Sequence, residues 1–263
     1  MIQRTHTIAI LAYNNHELTT RNLEHLTKLG HREQILLFDN GSKASFRTIA
    51  SDLGIRYQRE EKNICVNPAF NKIFEQENCD YLTLLNNDCF VLSPNYFDEV
   101  IAHMDENEIG LSSCRNKNIV DLKKGGLQTE NYFALNRETQ VLACNYAARR
   151  QGWLMTLNLK QYRTLNYKIP DYLKLWYGDD WIWGQFCLQN IKSVVYRNRY
   201  SVHVKSSTIS ASDQQKIIAS DIDNLEKFGD WYKEISPAIH KRSRLSGRYA
   251  HWRNKRRFSL MSK

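Results

Sequence analysis

The six cysteines of this 263-residue chain (Cys65, Cys79, Cys89, Cys114, Cys144 and Cys187) are dispersed and never form a CxxC pair. That absence argues against a zinc site or a disulfide framework and fits the reduced thiols of a cytosol. Long apolar runs are missing too. Stretches such as Ile8-Ala9-Ile10-Leu11-Ala12 are far too short to span a bilayer, so no transmembrane segment is expected. The opening residues carry no secretory h-region or cleavage site and lead straight into a strand, which predicts a cytoplasmic protein. Internal repeats and low-complexity tracts are lacking. Acidic residues are absent from residues 240–263, which hold nine Lys or Arg. Setting those nine aside leaves 28 basic residues against 28 acidic ones, so the body is neutral and the tail carries the excess of +9. Such a tail, with Arg244, Arg248, Arg253, Arg256 and Arg257 among its charges, seeks a polyanion: nucleic acid or an anionic membrane surface.

What is present is ordinary globular composition, 42% hydrophobic and 25% charged, enough for one large α/β domain with a C-terminal appendage. Residues 7–13, 34–38, 55–58 and 81–85 read as strands. Residues 17–29, 46–53 and 67–77 read as helices between them. This alternation predicts a largely parallel sheet covered on both faces. Ligands of such sheets bind beyond the carboxyl ends of the strands. Further on, residues 96–104, 180–189 and 213–228 read as helices, residues 109–113, 153–157, 193–196 and 201–204 as strands, and polar residues 117–138 as a loop or hairpin.

Polar side chains gather where the apolar runs stop. Asn86-Asn87-Asp88 ends the strand at residues 81–85, and one carboxylate with two carboxamides suits a hard cation that shares its shell with phosphates. A polar turn after a core strand is the competing reading. Asp39, in Phe38-Asp39-Asn40-Gly41-Ser42, can accept from a base or ribose; a capped β-turn competes. Asn63 and Asn71 bracket a loop and helix start, where Asn67 with Pro68 reads as an N-cap. Gly178-Asp179-Asp180-Trp181 places two acids where one can take a proton from a hydroxyl, or where both merely favour a helix N-terminus. Trp153, Trp176 and Trp181 are candidates for a sugar platform, although a core Trp is commoner. His203 is a candidate ligand for a Mn²⁺-like ion.

The succession of Tyr13-Asn14, Asp39-Asn40-Gly41-Ser42, Asn63 to Asn71, Asn86-Asn87-Asp88, Gly178-Asp179-Asp180-Trp181 and His203 resembles the family 2 glycosyltransferases of the GT-A fold. The resemblance spans roughly residues 5–210. It implies a GT-A domain over residues 1–210, with a nucleotide-sugar half at 1–115 and an acceptor half at 116–210, followed by a helical, basic tail at 211–263. It implies that Ala12, Tyr13, Asn14 and Asp39 hold the nucleotide, with Asn63, Asn71, Asn86 and Asn87 near the nucleotide sugar. Asp88 would be the metal-binding aspartate of the DXD element and His203 a late partner for the metal, Mn²⁺ or Mg²⁺. Asp179 and Asp180 would match the family's Glu-Asp pair, Asp180 as the base; Trp153 and Trp181 would face the acceptor. Three positions depart from the pattern: Asn86 for the first acid, Cys65 for a glycine, and Asp179 for a glutamate.

The expected activity is inverting, metal-dependent sugar transfer from a UDP-, dTDP- or GDP-linked donor. The acceptor would be a glycan or lipid-linked glycan at the inner membrane surface. A hydroxymethylated base in DNA is the alternative, in the host cytoplasm if the chain is phage-borne. A non-catalytic nucleic-acid-binding protein and a nucleotidyltransferase are the readings of other classes.

Overall fold

The computed structural model describes residues 4–93, 95–116, 142, 144–146, 152–204 and 212–240. The polar stretch 117–138 and the basic tail from 241 onward lie outside the described residues. The strands are β1 (His6–Ala12), β2 (Ile35–Asp39), β3 (Arg56–Arg59), β4 (Tyr81–Asn86), β5 (Cys89–Val91), β6 (Ile109–Asn116), β7 (Cys144–Tyr146), β8 (Leu154–Asn158) and β9 (Lys192–His203). The helices are α1 (His16–Lys28), α2 (Arg47–Leu53), α3 (Val66–Gln76), α4 (Tyr96–Glu106), α5 (Leu159–Arg163), α6 (Gly178–Leu188), α7 (Ser212–Phe228) and α8 (Asp230–His240).

The nine strands among the described residues join one sheet in the order β3-β2-β1-β4-β8-β6-β9-β5, with β7 added beside β9. The amino-terminal half is parallel, β1 pairing with β2 and β4, and β2 with β3. Beyond β4 the sheet turns mixed: β8 runs antiparallel to β4 and β6, β9 parallel to β6, and β5 and β7 antiparallel to β9. The expectation of a largely parallel sheet is corrected accordingly. The βα alternation that produces parallel strands stops at β4; from there on, among the described residues, no two strands consecutive in the chain pair with each other.

Side-chain alternation along β1 builds a core on each face. Ile8 and Ile10 pack with Leu23, Leu26, Tyr96 and Phe97 on one side. Ala9 packs with Phe38, Phe70, Phe74, Trp183 and Phe186 on the other. Fully burying each large apolar side chain contributes about 1.5–3 kcal/mol.

The boundary expected at residue 210 does not mark the end of packing. Ile218 of α7 and Ile235 of α8 are buried, and Trp231 meets Trp181 edge-on at 4.9 Å between ring centroids. Ile235 also presses on Gly184, where a Cβ would lie 2.0 Å from its Cδ1. These two helices are therefore part of the body, and the tail proper begins after them.

Candidate active site

Register alone brings the first three polar segments together. Ala12 lies beside Asp39, and Leu11 beside Asn86, so the residues leaving β1, β2 and β4 share one edge of the sheet. The chain then turns through Asn87 and Asp88 into β5, which pairs with the far end of β9 so that Cys89 faces His203. That pairing sets His203 Nε2 3.1 Å from Asp88 Oδ1, while the Val204 amide donates to the Asp88 carbonyl at 2.9 Å. Trp153, just before β8, lies flat on the His203 ring, with centroids 4.7 Å apart and planes 11° from parallel. Its carbonyl accepts from the Asn86 amide at 2.9 Å. Gly152 in turn backs onto Asp179, whose Cβ would be 2.7 Å from any Cβ placed there. Asp88, His203, Trp153 and Asp179 thus form one contiguous line, although the sequence scatters them over more than a hundred residues.

The nucleotide-side loop is built on Asp39, which is fully buried. Its Oδ1 accepts from the Ser42 amide at 2.9 Å and its Oδ2 from the Tyr57 hydroxyl at 2.8 Å. Arg59 forms an ion pair with the same Oδ2 and donates to the Ser42 carbonyl at 2.7 Å. Burial alone would raise this carboxyl's pKa; the bonds from Ser42, Tyr57 and Arg59 outweigh it and hold it below the ordinary value. Asp39, the residue expected to hold a base or ribose, is closed to solvent here and shapes the loop. Ser42 Oγ accepts from the Asn14 amide at 2.8 Å, and Asn14 Oδ1 accepts from the Lys43 amide at 2.9 Å. Asn14 and Asn15 both take left-handed backbone, φ 53°, which asparagine tolerates better than most residues. Gly41, at φ 72°, presses against the chain at residues 62–63, where a Cβ would lie 2.2 Å from the Lys62 carbonyl carbon. Ala12 is buried and Tyr13 half-buried at the same edge.

Asn40, which sequence reasoning passes over, ties this loop to the next. Its side chain donates to Asn63 Oδ1 and to the Cys65 carbonyl, both at 3.1 Å, and accepts from the Ile64 amide at 3.0 Å. Asn63 remains exposed at the rim. Cys65 adopts φ 70°, ψ 173°, a region that is essentially glycine's. The departure from glycine at this position is thus a departure in side chain and not in backbone.

Three further residues expected at the site make contacts within the scaffold. Asn71 spends both ends of its carboxamide on the Ile169 backbone, at 2.8 and 2.9 Å, so it braces the scaffold. Asn87 is buried and donates to Thr19 Oγ1 at 2.9 Å. Trp181 is 5% exposed, donates to the Asn166 carbonyl at 3.1 Å and packs on Trp231, so it belongs to the core and not to an acceptor platform. Asn67 is not an N-cap either: α3 begins at Val66, after Cys65, and the Asn67 side chain donates to the Trp176 carbonyl at 2.9 Å.

The acidic pair opens α6. Tyr177 takes φ 63° and turns the chain so that Gly178 starts the helix with Asp179 half-buried and Asp180 3% exposed. Both acids sit in the first turn, at the positive end of the helix dipole. Gly178 rests on Asn67, whose Oδ1 would lie 2.0 Å from a Cβ there, so the acceptor-side turn and the loop at Asn63 and Cys65 meet at one asparagine.

As to metal chemistry, Asp88 and His203 supply one carboxylate and one imidazole. That set suits Mn²⁺ or Mg²⁺ with the rest of its shell left to water or phosphate oxygens. Among the described residues no cluster of three or more His, Cys, Asp or Glu could hold a metal by itself. No helix among the described residues is long and apolar enough to cross a membrane.

No curated protein matches the sequence. Among solved structures, the fold is similar to a mannosyltransferase, PcManGT from Pyrobaculum calidifontis, in complex with GDP-Man and Mn²⁺. That likeness has a TM-score of 0.63 and 11% identity, and covers 91% of this chain and 70% of that one. It is similar to GalNAc-T7 with UDP, GalNAc and Mn²⁺, with a TM-score of 0.63 and 14% identity, over 91% of this chain and half of that one. It is also similar to Staphylococcus aureus TarS in complex with UDP-GlcNAc, with a TM-score of 0.55 and 12% identity, over 84% of this chain and 66% of that one. The glycosyl transferase family 2 profile matches residues 7–173, which is more than half of the chain. With that match over residues 7–173, the chain belongs to the family 2 glycosyltransferases.

Proposed function

We propose that this glycosyltransferase moves a sugar from a nucleoside-diphosphate-sugar donor to an acceptor hydroxyl with inversion, at the edge occupied by Asp88, His203 and Asp179-Asp180. The observation that carries this reading is the Asp88–His203 pair at 3.1 Å, covered by Trp153. Asp88 and His203 are the residues that would hold a divalent cation. When bound, it would act as a Lewis acid that neutralises charge on the departing diphosphate. The exposed carboxamide of Asn63 and the half-buried Tyr13, Asn14 and Asn86 line the nucleotide side. Asp180, with Asp179 beside it, takes the proton from the incoming hydroxyl on the opposite side of the sugar. A single displacement inverts the anomeric carbon and needs no covalent nucleophile.

A glycan or lipid-linked glycan is the proposed acceptor, with the basic tail lying on an anionic membrane surface in the cytoplasm. A hydroxymethylated base in DNA is the second reading, and the nine positive charges of residues 240–263 are the feature that favours it. Family membership removes the support for a non-catalytic nucleic-acid binder and for a nucleotidyltransferase.

Hydrolysis of UDP-glucose, UDP-GlcNAc and GDP-mannose, with MnCl₂ and with EDTA, tests the donor and metal. Turnover that needs the metal and disappears in Asp88→Ala is expected; metal-independent turnover in that variant would refute the assignment. Salt titrations of the full chain against duplex DNA and anionic vesicles, repeated without residues 240–263, divide the acceptor readings.

A further inference from the structure

We infer that Asp221, on α7 and outside the segment that matches the family, is a positioning residue for the acidic pair; the inference rests on the proposed sugar transfer. Asp221 is 1% exposed and points at three consecutive backbone amides. Its Oδ1 accepts from the Lys174 amide at 2.8 Å, and its Oδ2 from the Leu175 amide at 2.7 Å and the Trp176 amide at 2.8 Å. Successive N–H groups converging on one point form an anion-holding nest, and here the protein fills the nest with its own carboxylate. Three residues later on α7, Asn224 donates to the Tyr172 carbonyl at 2.9 Å.

The other side of the same length of chain is held by α3. The Asn67 amide donates to the Lys174 carbonyl at 3.0 Å and its side chain to the Trp176 carbonyl at 2.9 Å. Residues 174–176 are therefore strapped between α3 and α7, their carbonyls held by Asn67 and their amides by Asp221. The strap leads directly into the left-handed Tyr177, then Gly178 seated on Asn67, then Asp179 and Asp180. A shift of the acids along this path would break one or more of the bonds to Asp221 and Asn67. The strap also reaches the donor side, since Asn67 lies two residues beyond Cys65, which Asn40 holds.

An asparagine at 221 has one acceptor oxygen and an NH₂ in place of the other, so in either orientation at least one amide faces a donor. The experiment uses the full chain carrying Asp221→Asn, with Ile235→Ala as a control that loosens the α6–α8 contact without touching the strap. Amide exchange is read without ligands, and Mn²⁺-dependent hydrolysis of the best donor gives kcat and KM. Expected for Asp221→Asn are exchange at least tenfold faster over residues 174–180, kcat at least tenfold lower, and donor KM within twofold of the parent. Unchanged exchange overturns the inference, as does faster exchange with unchanged kcat. A loss of kcat that merely tracks Tm on the line set by Ile235→Ala overturns it too, by reducing Asp221 to a structural role. If Asp221→Asn does not fold, Asp221→Glu, which keeps the charge on a longer arm, must give the same split of kcat from KM or the inference fails. A parent chain inactive on every donor would sink the proposed activity, and the exchange measurement would still decide the strap.

Discussion

Trp153 covers His203 face to face, with ring centroids 4.7 Å apart, while the edge of the imidazole approaches Asp88 at 3.1 Å. The indole fixes the plane in which Nε2 meets the carboxylate. Aromatic pairs of this kind contribute about 0.5–1.5 kcal/mol beyond area burial. Trp153→Ala is therefore expected to weaken Mn²⁺ binding about 3- to 10-fold, with Trp153→Phe recovering most of it. Calorimetric or EPR titration of Mn²⁺ into the protein with UDP present checks this; equal affinities in all three would refute it.

The acidic pair at the head of α6 makes a kinetic prediction. General base catalysis contributes about 10²–10⁴ in rate. Asp180→Asn should lower turnover within that range while donor KM stays put. If Asp179→Asn alone carries the loss, the base is the acid that touches Gly152 instead. Initial rates at saturating Mn²⁺ distinguish the two.

Cys65 at φ 70°, ψ 173° holds a conformation that costs a non-glycine residue about 1–3 kcal/mol. Cys65→Gly relieves that strain but gains chain entropy in the unfolded state. A net stabilisation of about 1 kcal/mol is expected, a rise in Tm of about 2–4 °C for a domain of this size. Cys65→Ala should show no such gain. Thermal melts of the three chains test the point.

His6 is half-buried, its ring 5.3 Å from that of Phe97 and its Nε2 2.9 Å from Thr83 Oγ1. Burial, with help from nearby His31, pushes its pKa down to about 3. The unfolded chain takes up this proton below about pH 6.5 while the folded chain refuses it. Folding is therefore penalised as pH falls from about 6.5 toward 3, by about 1.4 kcal/mol per unit, with no effect above that window. Denaturant melts at pH 6, 5 and 4 should show a slope one proton shallower in His6→Gln. Parallel slopes would contradict the assignment.

The amino-terminal strands and helices are legible in the sequence because each is a local pattern: an apolar run for β1, β2 and β4, a helical stripe for α1 and α3. Their ends are where Asn14 and Asp88 have to fall, so the site's edge comes with them. Partnership is harder to read. Residues 193–196 and 201–204 read as two strands because Arg197, Asn198 and Arg199 look like a turn. Instead β9 runs on through them, slipping register from Cys114 opposite Tyr196 to Arg115 opposite Tyr200, and Arg199 is buried against Glu99 at 2.6 Å. Asp221 lies in a stretch that reads only as a helix; its contact with a loop 45–47 residues away gives it a role. Trp181 and Asn71 stand out for their place beside motifs, yet packing claims both. Three-residue β5 is too short to announce itself.

Because β9 pairs with β6 along most of its length and with β5 only at its tip, it works as a ruler between the middle of the sheet and the contact of His203 with Asp88. Adding or deleting one residue after Tyr200 would swing His203 to the opposite face and leave Asp88 alone. Length variation among sequences that keep this chemistry should therefore accumulate elsewhere, and the last four residues of the ruler should be counted before any homologue is assigned the same reaction.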